Sequence, residues 1–248
     1  MNEHPAAFSL TPIGRIQSDF PDKFGIPRQP GLASAARATL VLTPPFDDPL
    51  AVRGLDAFSH LWLSFIFHLS PAPPSPTVWT PLVRPPRLGG NTRVGVFASR
   101  STHRPNRLGL SLVELVEIDT TRGVRLELRG ADLVHGTPIV DIKPYLPWAE
   151  SRPAARAGFA PEAPPTLAVS LSWQAEAALA RRSDADSLRE LIIQVLAQDP
   201  RPAYRSGADS RVYGVRLRDV DVRFQSLQAQ AGSDTLTVVD IVPVEGRT

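Results

Sequence analysis

The chain has 248 residues, 42% of them hydrophobic, and a formal net charge of +2, which is enough apolar material for a buried core in one large or two modest domains. It contains no cysteine, which excludes disulfides, thiolate nucleophiles and zinc-thiolate centres and fits a reducing, cytoplasmic setting. No apolar run approaches the roughly 18–20 residues that cross a bilayer, and MNEHPAAFSL lacks the basic segment and apolar core of a secretion signal.

Residues 9–18 and 38–43 are short alternating or β-branched runs bounded by proline, glycine and aspartate, and they read as strands. Between them, FGIPRQPGLAS uses two prolines and two glycines to pin an extended loop that presents Arg28 and Gln29. The apolar run VRGLDAFSHLWLSFIFHLS predicts a turn at Leu55–Phe58 and a buried strand over Leu61–His68, followed by a proline-rich linker. Next comes Arg84 to Ser111, which holds Arg84, Arg87, Arg93, Arg100, Arg104, Arg107 and His103. No carboxylate occurs between Asp56 and Glu114. Within this stretch VGVFAS reads as a buried strand with the arginines on loops at its ends, held by Pro-Pro, Gly-Gly and Arg-Pro-Asn. Rigidly placed cations without acidic partners make a site for anions.

Three further strand-like runs follow, SLVELVEI, GVRLELRG and TPIVDIKPY, with turn signals every eight to twelve residues. That spacing predicts an antiparallel barrel or sandwich. Residues 150–165 are rich in proline and alanine and mark a boundary. Beyond it, LAVSLSW reads as a strand that continues into helix. Leu188, Leu191, Ile192, Val195 and Leu196 then fall on one face of a helix over 187–198, capped by Asp186 or Ser187 and stopped at Asp199-Pro200. VYGVRL, VDVRFQSL and TLTVVDIV complete a small antiparallel sheet. The expected fold is mainly β: an antiparallel β-barrel over 1–150 and a smaller α+β domain over 165–248.

The signatures of dinucleotide, nucleotide-triphosphate, zinc-protease and serine-hydrolase sites are all missing. The five histidines have no ligand-like spacing, so no metal is expected. What remains is a set of rigid polar loops: PRQPG, FSHLW, RPPRLGGN, SRSTHRPNRLG, GADLVHGTP and DIKPY. To these is added DPRPAYR (199–205), in which two prolines fix an acid, two arginines and a tyrosine. Asp199 and Arg201 either serve a ligand or pair to seal the helix end.

Together these motifs, with VRGLDAFSHLW, RVGVFASRSTHRPN, GLSLVEL and DLVHGTPIVDIKPYLP, closely resemble the TsaA-like (TrmO) family of tRNA adenosine N6-methyltransferases across essentially the whole chain. The resemblance implies a β-barrel that binds S-adenosylmethionine, works as a homodimer and methylates N6-threonylcarbamoyladenosine at position 37 of tRNA, next to the anticodon. By motif position it implies cofactor contacts at Pro27, Arg28, Gln29, His68, Leu69, Arg100, Leu110, Arg129, Gly130, Ala131 and Asp132. A proton acceptor for the urea-like nitrogen would be Asp132, Asp141 or His103. Arg84, Arg87, Arg104, Arg107, Lys143, Asp199, Arg201 and Tyr204 are the expected RNA contacts, the last three on a tRNA-contacting C-terminal domain. The sequence departs from the family pattern at His135, where an acid or amide is usual, and at Arg107-Leu108, where Pro-Ile is usual. Competing readings are a non-catalytic RNA-binding barrel and a hydrolase using Ser101 with His103 and an aspartate.

Overall fold

A computed structural model describes residues 8–71, 79–201, 209–228 and 234–244. Tyr204 lies outside the described residues. Eight strands belong to the first half: β1 (Gly14–Ser18), β2 (Arg37–Leu42), β3 (His60–Ile66), β4 (Leu82–Val83), β5 (Val94–Gly95), β6 (Leu108–Asp119), β7 (Arg125–Arg129) and β8 (Pro138–Pro144). Six of them close an antiparallel barrel in the order β1-β2-β7-β6-β3-β8.

Strict alternation makes the barrel close. In β2, Ala38, Leu40 and Leu42 point inward while Arg37, Thr39 and Val41 point outward, and register places Leu40 opposite Ile16 of β1 and Leu126 of β7. Leu61, Leu63 and Phe65 do the same on β3, with Val113 on β6 and Ile139 on β8. A register shift between Leu115 and Glu117 leaves Val116 exposed and bends β6 as the barrel turns. Each fully buried aliphatic residue contributes about 1.5–3 kcal/mol.

VGVFAS is not the buried strand its composition suggests. Only Val94 and Gly95 pair, with Val83 and Leu82, and the chain then tightens into a 3-10 turn over Val96–Ala98. Val96 fills the interior while Phe97 turns outward. The run sits on a two-stranded ribbon outside the barrel, so there is no second neighbour to extend it.

After the short helix α1 (Pro147–Glu150), the second half comprises β9 (Ala168–Leu171), α2 (Trp173–Leu179), α3 (Ala185–Ala197), β10 (Asp209–Leu217), β11 (Val220–Gln228) and β12 (Asp234–Pro243). Its sheet order is β10-β11-β12-β9, and β9 joins parallel to β12, so the sheet is mixed rather than wholly antiparallel. α2 is the helix into which the strand LAVSLSW is expected to continue; its seven residues bury only Ala175 and Leu179 and leave Trp173 exposed. The N-cap position of α3 is Asp184 rather than Asp186 or Ser187. The Asp184 carboxylate does not cap the helix, because Arg182 and Arg218 occupy it.

The apolar face of α3 covers this sheet, with Leu188, Leu191, Ile192, Val195 and Leu196 against Val215, Val222, Phe224, Leu236 and Val238. Three residues of the long β1–β2 connection complete the same core: Phe20, Ala33 and Ala36, all buried. The loop that carries PRQPG is thus anchored at both ends in the hydrophobic interior of the C-terminal half.

Candidate active site

Four pieces of chain meet at one end of the barrel. The β1–β2 connection approaches the segment after β7 through a Gly31 N–H donating to the Gly130 carbonyl at 2.8 Å. It reaches the end of β3 through Lys23 Nζ, which donates to the Leu69 carbonyl at 2.7 Å. β6 joins them where the Ser111 hydroxyl donates to the Asp132 carboxylate. His68 stands beside Gly136, where a Cβ would come 3.9 Å from the imidazole Nε2. Both Gly130 and Gly31 have positive φ, and a Cβ on Gly130 would lie 3.4 Å from Gly31 Cα. It is this left-handed backbone at both positions, rather than a lack of space, that favours glycine here.

Of the residues expected to hold the cofactor, His68, Leu69, Leu110, Gly130, Ala131 and Asp132 lie on or beside the segments that meet here, whereas Pro27, Arg28 and Gln29 lie on the connection between Lys23 and Gly31, with Pro27 and Arg28 facing the end of α3. Pro27 is buried, Gln29 and His68 are half-buried, and Arg28, Leu69, Arg100, Leu110 and Arg129 are exposed. Ala131 is buried below Gly130. Arg129 pairs loosely with Glu114 at 3.9 Å, an exposed contact of little energetic weight. Leu110 lies on the outer face of β6, opposite Ser64, so its alternation sends Ser111 inward to Asp132.

The electrostatics of the junction are uneven. Burial raises the Asp132 carboxyl above the ordinary carboxylate range, opposed by the Ser111 hydrogen bond and the positive charge of Arg100. Burial also lowers His68, helped by the charges of Arg15 and Lys23. The other two base candidates are placed differently. Asp141 is exposed on β8 opposite Ser64. His103 is exposed on a turn, where its N–H donates to Ser101 Oγ at 3.2 Å and its Nδ1 lies 3.5 Å from that hydroxyl. Asp132, half-buried and bonded to the buried Ser111 hydroxyl, is therefore the candidate most withdrawn from solvent.

The basic residues separate into two kinds. Arg84, Arg93 and Arg100 are exposed, as is Lys143 on β8. Arg104 instead turns back on its own loop, donating to the carbonyls of Ser99 at 3.0 Å and Val96 at 3.4 Å. Arg107, in left-handed backbone at φ 51°, donates to the Ser70 carbonyl at 3.3 Å, and Arg87 reaches the Glu162 carbonyl at 2.5 Å. Arg201 is 3% exposed and forks onto Asp199 at 2.7 and 2.9 Å, closing the end of α3.

A cleft of about 260 Å³ separates the loop over Lys23–Arg28 from the end of α3 at Val195 and Gln198–Pro200. Its walls are held by contacts from the C-terminal half. Gln194 Oε1 accepts from the Ala35 N–H at 2.8 Å. Arg218 bonds the Asp19 carboxylate at 2.9 Å and the Asp19 carbonyl at 2.8 Å, and Asp19 in turn accepts from the Arg37 N–H. Gly25 packs so closely that a Cβ would come 2.2 Å from Val215 Cγ2. These supports are absent from the sequence reading, as is Ser111. The signal for Ser111 is a hydroxyl at an inward position of an otherwise apolar strand; for Gln194 and Arg218 no local pattern exists.

A family model for the tRNA-methyltransferase O N-terminal domain matches residues 15–151, and one for the TrmO C-terminal domain matches residues 164–244. An Escherichia coli protein named tRNA (adenine(37)-N6)-methyltransferase is 49% identical over 228 residues, 90% of this chain and 95% of that protein. A Pseudomonas aeruginosa protein provisionally named an S-adenosylmethionine-dependent methyltransferase is 50% identical over 220 residues, 87% of this chain and 91% of its own length. The crystal structure of TrmO from Pseudomonas aeruginosa superposes with a TM-score of 0.77 at 42% identity, covering 96% of this chain and all of that one.

Proposed function

Because the chain belongs to the tRNA-methyltransferase O family across both halves, we propose that it is an S-adenosylmethionine-dependent tRNA (adenine(37)-N6)-methyltransferase whose substrate base is N6-threonylcarbamoyladenosine. The observation that carries the site is the half-buried Asp132 carboxylate bonded to the buried Ser111 hydroxyl at the junction of the PRQPG loop, β3, β6 and the segment after β7.

The residues fit the cofactor chemically. S-adenosylmethionine offers ammonium, sulfonium and hydroxyl groups to an acceptor and a carboxylate to a cation. The junction supplies the Asp132 carboxylate, the exposed guanidinium groups of Arg28 and Arg100, and glycine backbone that can be approached closely at Gly31 and Gly130. Pro27, Gln29, His68, Leu69, Leu110, Arg129 and Ala131 complete the binding surface. The bound cofactor supplies an electrophilic methyl group, and the base nitrogen loses one proton as the new carbon–nitrogen bond forms.

The protein's part is positioning and proton removal. Asp132 accepts the proton, and its burial makes it a stronger base than a solvated carboxylate. Ser111 holds the carboxyl in one orientation. His68, kept neutral by burial and by Arg15 and Lys23, adds no competing positive charge. Arg84, Arg93 and Lys143 hold phosphates of the anticodon loop, and an exposed arginine reads the carboxylate of the threonylcarbamoyl group. Exposed Leu108 and Leu110 on β6 give a homodimer an apolar contact, and the enzyme acts in the cytoplasm. Mapping labelled methyl groups after incubation with tRNA tests the reading. Label should appear on N6 of adenosine 37; tRNA binding without transfer would favour a non-catalytic RNA-binding barrel.

A further inference from the structure

An aromatic pair stands on the surface of the arginine-rich excursion. Phe97 is 69% exposed and Trp79 38% exposed, with ring centroids 5.6 Å apart at an interplanar angle of 42°. The Phe97 ring is firmly held. Phe97 sits in the 3-10 turn Val96–Ala98, whose Val96 N–H donates to the Pro81 carbonyl at 2.8 Å. The Val96 carbonyl receives both the Ser99 N–H and the Ser99 hydroxyl. Arg104, bonded to the same carbonyl and to that of Ser99, backs the Phe97 ring with its guanidinium 5.7 Å from the centroid. The turn buries Val96 at 1% exposure and presents the neighbouring phenyl ring to solvent.

A large aromatic side chain on a rigid turn gains nothing for folding by facing water. What sets this ring apart from other exposed aromatic residues is its surroundings. No carboxylate occurs from residue 57 to 113, and Arg84, Arg93 and Arg100 are exposed on the same excursion. Arg100 is three residues from Phe97, and its charge is felt by the Asp132 carboxyl. Exposed aromatic faces set among uncompensated arginines are the composition that holds an unstacked base and its phosphates.

We infer that Phe97, with Trp79 beside it, is a stacking platform for a nucleobase of the anticodon loop, steadying the loop while the target base enters the junction around Asp132. This rests on the tRNA reading above and deepens it. The platform tolerates any base, because every base offers a π face, so it contributes affinity without selecting sequence.

The test compares full-length wild type with Phe97→Ala, Phe97→Leu and Phe97→Trp. It uses bulk cellular tRNA as the probe at several salt concentrations, with S-adenosylmethionine affinity and sedimentation measured on each protein. Phe97→Ala and Phe97→Leu should weaken tRNA binding by about five- to one-hundred-fold. The salt slope should be unchanged, because no phosphate contact is lost. Phe97→Trp should bind like wild type, and cofactor affinity should hold in all three. Equal tRNA affinity in Phe97→Leu and Phe97→Trp overturns the platform while leaving the methyltransferase reading intact. A change of sedimentation in Phe97→Ala also overturns it, by showing the ring to be an interface between copies. Absence of tRNA binding by wild type removes both readings.

Discussion

At the scale of single residues, the pairing of Ser111 with Asp132 makes a prediction whose sign is fixed. The Ser111 hydroxyl lowers the Asp132 pKa against the larger effect of burial. Replacing it, in Ser111→Ala, leaves burial less opposed, so the carboxyl holds its proton to higher pH. The acid limb of the kcat profile should then move to higher pH, while the alkaline limb stays where it is. Asp132→Asn cannot accept a proton and should lower kcat at saturating cofactor by about 10²–10⁴-fold. Single-turnover methyl transfer measured across pH checks both variants. A wild-type rate in Asp132→Asn, or an unmoved acid limb in Ser111→Ala, contradicts the assignment of Asp132 as the base.

At the scale of elements, the β1–β2 connection is long and has no regular secondary structure of its own, yet it is among the most firmly held parts of the chain. Arg218 on the β10–β11 turn bonds Asp19 with both its guanidinium and its backbone N–H, and also reaches Asp184 at 2.8 Å. Both Arg218 and Asp19 side chains are mostly buried, at 16% and 12% exposure. Removing one partner strands the other, so Arg218→Ala should cost about 3 kcal/mol. It should also raise the KM for S-adenosylmethionine more than it lowers kcat, because it frees the loop bearing Arg28 rather than the reacting groups. Denaturant titration and initial rates separate these effects; a stability loss with an unchanged KM would mean that the pair supports the fold alone. The same cluster has an acid dependence. Hydrogen bonds from Arg182, with Arg218 also contributing, depress Asp184 to about 2. A depressed carboxylate stabilises the fold above its unfolded pKa, so this contribution is present at pH above about 4 and is lost as pH falls towards about 2. Arg218→Ala should flatten that part of the wild-type acid-denaturation curve.

At the scale of the whole molecule, the two halves divide the chain differently in sequence and in space. Composition shifts at residues 150–165, but Phe20, Ala33 and Ala36 belong to the core built by α3 and the C-terminal sheet. A fragment of residues 1–150 therefore exposes these side chains and loses Gln194, Val215 and Arg218 as supports. It should keep a β-rich spectrum from the barrel and bind S-adenosylmethionine at least tenfold more weakly than the full chain. Full affinity in the isolated fragment, measured by calorimetry, would show that the C-terminal half is not needed to hold the PRQPG loop.

The barrel strands and α3 are legible in the sequence because they announce themselves locally, through alternation in RATLVL and HLWLSFI and through the 3.6-residue spacing of Leu188, Leu191, Ile192, Val195 and Leu196. The rigid loops are legible from proline and glycine. What the sequence hides is whatever depends on distant partners: the turn at Val96–Ala98, the parallel docking of β9, and Arg218 reaching across to Asp19. Arg104, Arg107 and Arg201 show the same limit from another side. A run of cations declares its charge, but only the fold decides whether a guanidinium faces solvent, as Arg84 and Arg100 do, or is spent on the protein's own carbonyls and carboxylates.

The most direct test of the central claim compares two preparations of one tRNA, identical except for the threonylcarbamoyl group on adenosine 37, as substrates for methyl transfer from labelled S-adenosylmethionine. The modified tRNA should be methylated on N6 with a kcat/KM at least tenfold higher than the unmodified one, because a charged contact to the threonyl carboxylate is worth about 1.5–3 kcal/mol. Equal rates on both, or no transfer to either by folded protein, would contradict the account.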